Sequence, residues 1–342
     1  MIAREVFRHQ FESNPVYGAY CRGRGRTPES VRGWRDVPPV PATAFKRLDL
    51  YSGLPGSASP PEVVFETSGT TRGSGARGRH PVADLSLYRD ASIPWFGVHL
   101  VPEDAPLPVL ALVPSPEAAP TSSLSRMMGF VMDRWGDEGS AFLADPESGV
   151  DHGRTGSALE RVVAEGRPAL LMGTAFAWVH WLEQAGRDGR RLALPEGSRL
   201  METGGFKGRA RAVPRTELYR ALTEALGIPE ARIVNEYGMT ELLSQMYESH
   251  LPAGGPATRR HVAPPWLGLQ VLDPETLSPL DPGEPGLLAF FDMANAGSVS
   301  AVLTEDVGRV DPDGALRLEG RTAGAEPRGC SLAMEDLLEA RR

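Results

Sequence analysis

A run of hydroxyls and glycines (Thr67, Ser68, Gly69, Thr70, Thr71, Gly73, Ser74 and Gly75) follows the short apolar stretch 63–65. The run exits into Arg77, Arg79 and His80. Glycines let a backbone approach an anion closely, and the N–H groups of a tight turn converge on one concavity. Hydroxyls add neutral donors, and guanidinium groups match phosphate oxygens with forked N–H donors. The chemistry this suits is the binding of a triphosphate. The same composition fits a plain surface loop, but the strand before it and the basic exit favour the phosphate reading.

A second group is Tyr237-Gly238-Met239-Thr240-Glu241, directly after the strand candidate 232–234 and Asn235-Glu236. An aromatic ring at a strand end can stack on a purine, and Gly238 permits close backbone approach. Thr240 can donate to a phosphate, and Glu241 can hold magnesium, a hard cation that prefers oxygen. Alone, the motif is also what a tyrosine-containing turn with a first-turn carboxylate looks like. Thr203-Gly204-Gly205-Phe206-Lys207-Gly208 forms a third turn after a short strand. Asp306 stands just past a predicted strand, where a carboxylate can accept from both hydroxyls of a ribose, and Gly320-Arg321 follows the next strand. An ordinary hairpin end and a surface arginine are the plainer readings of these two. His80, His180, His250 and His261 share no metal-ligand spacing, so no zinc site is expected.

These turns need strands and helices to hold them. Stretches 109–113, 168–172, 199–201 and 232–234 read as short buried strands, with helices expected from 84, from 121, up to 165, over 175–184 and over 214–226. Strand, turn, helix, strand, repeated, is the α/β pattern with a mostly parallel sheet, and binding turns belong at the carboxyl ends of its strands. Residues 1–35 predict a helix and then a basic loop containing Cys21, and 38–43 an extended, proline-rich segment. From 262 onward short strands alternate with turns such as 282–286 and 311–314, which predicts a smaller β-rich subdomain. The expected division is an α/β core over 1–260, the β-rich part over 261–320 and a helical tail over 321–342.

The 342 residues are 41% hydrophobic, enough for a sizeable core. A net charge of -8 argues against a general nucleic-acid binder, which shows a basic face. No apolar run is long enough to span a bilayer, and the first ten residues lack the apolar core of a signal peptide. Two cysteines exclude a disulfide framework and predict a cytoplasmic protein.

Taken in order, residues 67–71, 237–241, 304–308 and 320–321 resemble the core motifs of the adenylate-forming superfamily (acyl- and aryl-CoA ligases, luciferase-like enzymes). Residues 77–80, 122–125, 172–176, 202–208, 242–247 and 329–332 carry a narrower resemblance, to the acyl-protein synthetases of LuxE type. It runs from about residue 37 to the end of the chain. The resemblance implies a large N-terminal-type adenylation domain, ATP and Mg2+ as cofactors, and a carboxylic acid substrate, a fatty acid by family. Residues 67–71 would hold the β- and γ-phosphates, and Tyr237 and Gly238 would line the adenine beside Glu236 and Met239. Thr240 would touch the α-phosphate, Glu241 would hold the metal, Asp306 and Arg321 would bind the ribose, and 203–206 would flank adenine and acid. In this family a cysteine near the carboxyl end takes the acyl group as a thioester, and Cys330 matches it. A terminal helix predicted over 331–339 would place Cys330 at its amino end, where the helix dipole and Arg328 favour the thiolate. Cys330 would serve equally as a small residue in a tight turn.

Two departures stand out. Arg72 interrupts the glycine loop, and the residues after Arg321 contain no lysine, whereas typical adenylate-forming enzymes carry a catalytic lysine in a further carboxy-terminal domain. Lys207, Arg77, Arg79 and His80 are the candidates for the missing charge. The acceptor of the acyl group stays open between a partner protein reached through Cys330, a carrier protein, CoA or an amine. A nucleotide-binding scaffold without chemistry is the remaining alternative.

Overall fold

The computed structural model describes residues 2–57, 59–67, 77–204, 213–248, 251, 259–321 and 327–341. Two amino-terminal helices, α1 (Ile2–Ser13) and α2 (Pro15–Gly23), precede β1 (Val40–Pro41). The helix-then-loop expectation for 1–35 is therefore corrected. Asn14 caps α2 by accepting the Tyr17 amide at 3.0 Å, and Pro15 pre-sets the first turn. Cys21 lies on this helix, fully buried. The chain continues through β2 (Val63–Glu66), β3 (Arg79–Val82), α3 (Leu85–Leu100), β4 (Val109–Leu112), α4 (Ser123–Trp135) and β5 (Ala141–Phe142). A small hairpin, β6 (Ala144–Asp145) and β7 (Gly149–Val150), leads to α5 (His152–Glu165), β8 (Leu170–Thr174), α6 (Ala175–Arg187), β9 (Arg199–Thr203), α7 (Arg215–Leu226) and β10 (Ile233–Tyr237). Then come β11 (Met246–Glu248), β12 (His261–Val262), β13 (Leu267–Leu272), β14 (Gly286–Asp292), β15 (Ala301–Val310), β16 (Leu316–Arg321) and α8 (Arg328–Ala340).

Among the described residues twelve strands form one sheet, in the order β13-β14-β15-β16-β12-β11-β10-β9-β8-β4-β5, with β1 beside β15. From β10 to β5 every pairing is parallel; from β10 to β13 every pairing is antiparallel. The strands that follow residue 260 thus hydrogen-bond into the same sheet as the parallel strands, through β12 and β11.

The parallel strands read as unbroken apolar runs because both of their faces are covered. Successive side chains point to opposite faces. Val109, Ala111, Leu170, Met172, Met201 and Val234 pack with α3 and α4. Leu110, Leu112, Leu171, Leu200 and Ile233 pack with α5, α6 and α7. A third core joins α1, α2 and α8 to the antiparallel strands through Phe7, Tyr17, Tyr20, Phe290, Val302 and Leu337. Trp178 is fully buried in the second of these cores. Among the described residues no helix is long and apolar enough to cross a membrane.

Candidate active site

Register places the carboxyl ends of four of the five parallel strands, β4, β8, β9 and β10, in one row: Leu112 beside Gly173, Thr174 beside Thr203, and Thr203 beside Glu236. That edge is where an open α/β sheet receives ligands. Thr203 is half-buried there and Gly204 is exposed. Gly205, Phe206 and Lys207 lie outside the described residues, as does His250.

A two-stranded hairpin sits over this edge. β2 pairs antiparallel with β3, Phe65 opposite His80 and Glu66 opposite Arg79. The loop's base closes through two bonds: the Thr67 amide donates to the Gly78 carbonyl and the Gly78 amide to Thr67 Oγ1, both at 2.9 Å. Ser68, Gly69, Thr70, Thr71, Arg72 and Gly73 lie outside the described residues. A Cβ built on Gly78 would stand 3.0 Å from Thr67 Cγ2 and 3.5 Å from Glu241 Oε1. The Glu241 carboxylate therefore reaches the base of the hydroxyl-glycine loop. Arg77 and Arg79 are exposed, and Arg77 bonds Glu66 at 3.3 Å.

Two contacts dock the hairpin. The Glu66 amide donates to the Thr121 carbonyl at 2.8 Å, just before α4, whose cap is Ser122. On the other strand, His80 Nδ1 lies 2.7 Å from the Thr240 carbonyl. A carbonyl only accepts, so Nδ1 carries the proton. His80 is 1% exposed, and burial lowers its pKa to about 4 against the raising effect of that hydrogen bond. The positive charge expected of His80 is thus corrected: at neutral pH the ring is uncharged, because an imidazolium here would lose its water without gaining a carboxylate.

Tyr237 ends β10 with its ring 5.6 Å from Phe290 and 6.3 Å from His261, centroid to centroid. Its hydroxyl donates to Asp306 Oδ2 at 2.8 Å, and Arg321 Nε donates to Asp306 Oδ1 at 2.7 Å. Burial first, then the Asp306 charge, hold the Tyr237 hydroxyl well above its ordinary pKa, so it remains a donor. Asp306 lies within β15 rather than beyond it, opposite Arg321 across the β15–β16 ladder. The polar run around it looks like a strand end in sequence. Thr304 explains why the strand continues: its Oγ1 donates to the Leu288 carbonyl at 3.0 Å and accepts the Asp306 amide at 3.1 Å. The register shift between Leu287 and Ala289 leaves room for that exchange. At Gly238 a Cβ would overlap Glu236 Oε1. The buried Glu236 carboxylate folds back against the Gly238 backbone, in space that a side chain there would take. Met239 and Thr240 are half-buried, Glu241 7% exposed.

Two residues that the motifs did not reveal hold the segment after Tyr237. Asp292, at the end of β14, is fully buried. Its Oδ2 accepts the Leu243 and Ser244 amides at 2.8 and 2.9 Å; its Oδ1 accepts the Ser244 hydroxyl at 2.7 Å and the Ala294 amide at 3.0 Å. Asn295 Nδ2 donates to the Glu241 carbonyl at 2.8 Å. The available signal was an aspartate standing directly after the apolar run 287–291. Beneath the same edge, Glu202 accepts from the Tyr219 hydroxyl at 2.7 Å and from Asn235 Nδ2 at 2.6 Å, and burial raises its pKa.

Cys330 is the third residue of α8, at the amino end as expected, but 1% exposed. It packs on Leu272, Leu287, Ala289 and Leu303, with its thiol 3.9 Å from the Thr304 carbonyl. That carbonyl is two residues along β15 from Asp306. Arg328 points to Glu275 at 4.0 Å with both side chains exposed. Among the described residues no cluster of three His, Cys, Asp or Glu could hold a metal ion. Mg2+ needs no such cluster, since it binds through one or two carboxylates together with substrate phosphates; Glu241 is the carboxylate that lies against Gly78 at the loop's base.

A family model described as "Acyl-protein synthetase, LuxE" matches residues 2–339. Two relatives named long-chain-fatty-acid--luciferin-component ligase, from Aliivibrio fischeri and Vibrio harveyi, are each 23% identical to this chain, over 99% of it and 88% of their own length. Among solved structures, 2-hydroxyisobutyryl-CoA ligase in the postadenylation state with 2-HIB-AMP superposes with a TM-score of 0.67 at 13% identity, covering 94% of this chain and 66% of that one. Its open conformation with 2-HIB-AMP and CoA gives a TM-score of 0.64 at 14% identity, covering 94% and 73%. At such identities the likeness is one of fold.

Proposed function

We propose a reaction for this chain on one premise: it belongs to the acyl-protein synthetase (LuxE) family, enzymes of the adenylate-forming ligase type. A carboxylic acid oxygen attacks the α-phosphorus of ATP. The bond from that phosphorus to the β-phosphate bridging oxygen breaks, and pyrophosphate leaves with the electron pair. The product is an acyl-adenylate. Positioning and charge stabilisation supply most of such a rate. Thr67, with Ser68, Gly69, Thr70, Thr71 and Gly73, is assigned to the β- and γ-phosphates, and Thr240 to the α-phosphate. Glu236, Tyr237, Gly238, Met239, Gly204, Gly205 and Phe206 are assigned to the rim of the nucleoside site, and Asp306 to the ribose. Arg321 and the Tyr237 hydroxyl hold the Asp306 carboxylate in place through hydrogen bonds. Glu241 would hold Mg2+, whose chemistry there would be to neutralise phosphate charge. Arg77, Arg79 and Lys207 remain the candidate cations for the transition state.

The single observation that carries this reading is the approach of Glu241 to Gly78, which brings the Tyr237–Glu241 turn to the base of the hydroxyl-glycine loop. The substrate class we infer is a long-chain fatty acid, from the names of the two relatives. The acyl group then passes to a thiol. If Cys330 is the acceptor, its sulfur attacks the acyl carbon, the bond to AMP oxygen breaks and AMP leaves. Burial of Cys330 in its apolar cluster means that the first turn of α8 has to leave β14 and β15 before that step. A partner protein would receive the acyl group from it; transfer straight to CoA, a carrier protein or an amine is the second reading, and the same burial favours it. The test is acid-dependent pyrophosphate release across fatty and aromatic acids, with Cys330→Ser alongside. No release with any acid refutes the activity, and unchanged overall transfer in the variant refutes the thioester.

A further inference from the structure

His80 joins two segments that lie far apart in sequence. Its Nδ1–H donates to the Thr240 carbonyl. The next carbonyl, that of Glu241, accepts from Asn295 Nδ2 on the opposite side, from the turn after β14. The two peptide units that carry Thr240 and Glu241 are thus clamped between β3 and that turn, each by one buried side chain. Phe45 stands edge-on to the imidazole, 5.5 Å between centroids at 82°, which fixes the ring plane. Two residues before His80, Gly78 closes the loop's base onto Thr67 and faces Glu241.

Stability alone does not call for these side chains. Among the described residues, His80 Nε2 and Asn295 Oδ1 are buried with no hydrogen-bond partner. A buried polar atom left unpaired is costly, so the bare nitrogen offsets much of what the bond to Thr240 contributes, and an apolar ring at position 80 would pack at similar cost. What such a ring lacks is the one bond to Thr240.

We propose that His80 is a positioning residue for adenylation, acting through its Nδ1–H on the Thr240 carbonyl to hold Thr240 and Glu241 in register with the hydroxyl-glycine loop. The proposal rests on the reading of this edge as the ATP site. His80 touches no reacting atom. It fixes the distance between a loop that grips the outer phosphates and a turn that meets the α-phosphate and the metal. An error of about 1 Å in that distance can cost about a hundredfold in rate.

The experiment compares His80→Phe with His80→Asn in fatty-acid-dependent pyrophosphate release, with thermal melting of each. Phenylalanine keeps the ring and the Phe45 contact, removes the unpaired nitrogen and deletes the donor. Asparagine places its amide nitrogen where Nδ1 stood and keeps the donor. The expected result for His80→Phe is a melting temperature close to wild type, with kcat/KM for ATP lower by about tenfold to a hundredfold; His80→Asn recovers most of that loss. A merely structural role predicts the opposite pattern, a lower melting temperature with kcat per folded molecule unchanged, and would overturn the proposal. Should His80→Phe not fold, His80→Leu against His80→Asn reads the same donor, and equal kinetics for that pair refute it. A wild-type protein silent with every acid refutes the ATP-site reading; an active wild type matched by His80→Phe refutes the latch alone.

Discussion

Replacing Asp292 should damage the site without touching any of the motifs. Its carboxylate accepts four hydrogen bonds at 2.7–3.0 Å, three from backbone amides and one from Ser244 Oγ. Asp292→Asn keeps the shape but turns one oxygen into a donor. With the amide nitrogen at the Oδ2 position, the Leu243 and Ser244 amides both lose their acceptor. With it at Oδ1, Ser244 can rotate to accept, and only the Ala294 amide is stranded. The second arrangement is the cheaper, and one stranded buried donor costs about 1–3 kcal/mol. Some of this is returned, because burial pushes the Asp292 carboxyl above its usual range, so that its charge is itself costly. Asp292→Ala strands every donor and should cost more than the asparagine variant. Denaturant unfolding measures both, as a lower midpoint at unchanged slope. Pyrophosphate release should fall further than stability, because residues 243–244 lie two and three positions after Glu241. Wild-type midpoints for both variants would refute the account of how this turn is held.

Three further expectations follow. Gly238→Ala forces the Glu236 carboxylate from its place against the backbone, so activity should drop at least tenfold; wild-type kinetics would show that Glu236 yields without moving the turn. Glu202→Gln should stabilise the protein at neutral pH and lose that advantage in acid. The folded-state pKa of Glu202 is raised, so its ionisation weakens the native state as pH rises above the ordinary carboxylate range and costs nothing below it; a melting-temperature difference that does not shrink on acidification contradicts this. Alkylation by iodoacetamide should be slow at Cys21 and Cys330 in the resting protein, both being buried. It should become selective for Cys330 during turnover if α8 lifts from β14 and β15, and Cys330 reactivity independent of ATP and acid would argue against the thioester route.

The parallel half of the fold was legible because strands covered on both faces leave nothing but apolar residues, as in Val109–Leu112, and because Leu218, Leu222 and Leu226 mark one face of α7. β3 was not, since it holds Arg79, His80 and Pro81 and pairs only within a two-stranded hairpin, an edge setting that tolerates proline. The length of β15 was hidden by Thr304 and Asp306, whose polarity is satisfied by partners distant in sequence. The second amino-terminal helix was missed although Asn14-Pro15 is a cap signal; Gly18 and Gly23 obscured it. At the site, each motif alone was weak and their order carried the reading. The neutral state of His80 and the grip of Asp292 were invisible for one reason: both depend on burial, which no local pattern encodes.

Mass spectrometry of a quenched reaction containing protein, ATP, Mg2+ and a long-chain fatty acid tests the central claim most directly, with Glu241→Gln and Asp306→Asn run in parallel. The account predicts a fatty acyl-adenylate in the wild-type sample and a loss of at least tenfold in each variant. An acyl-adenylate made equally by all three proteins would contradict the assigned site, and its absence from the wild-type sample with every acid tried would contradict the reaction.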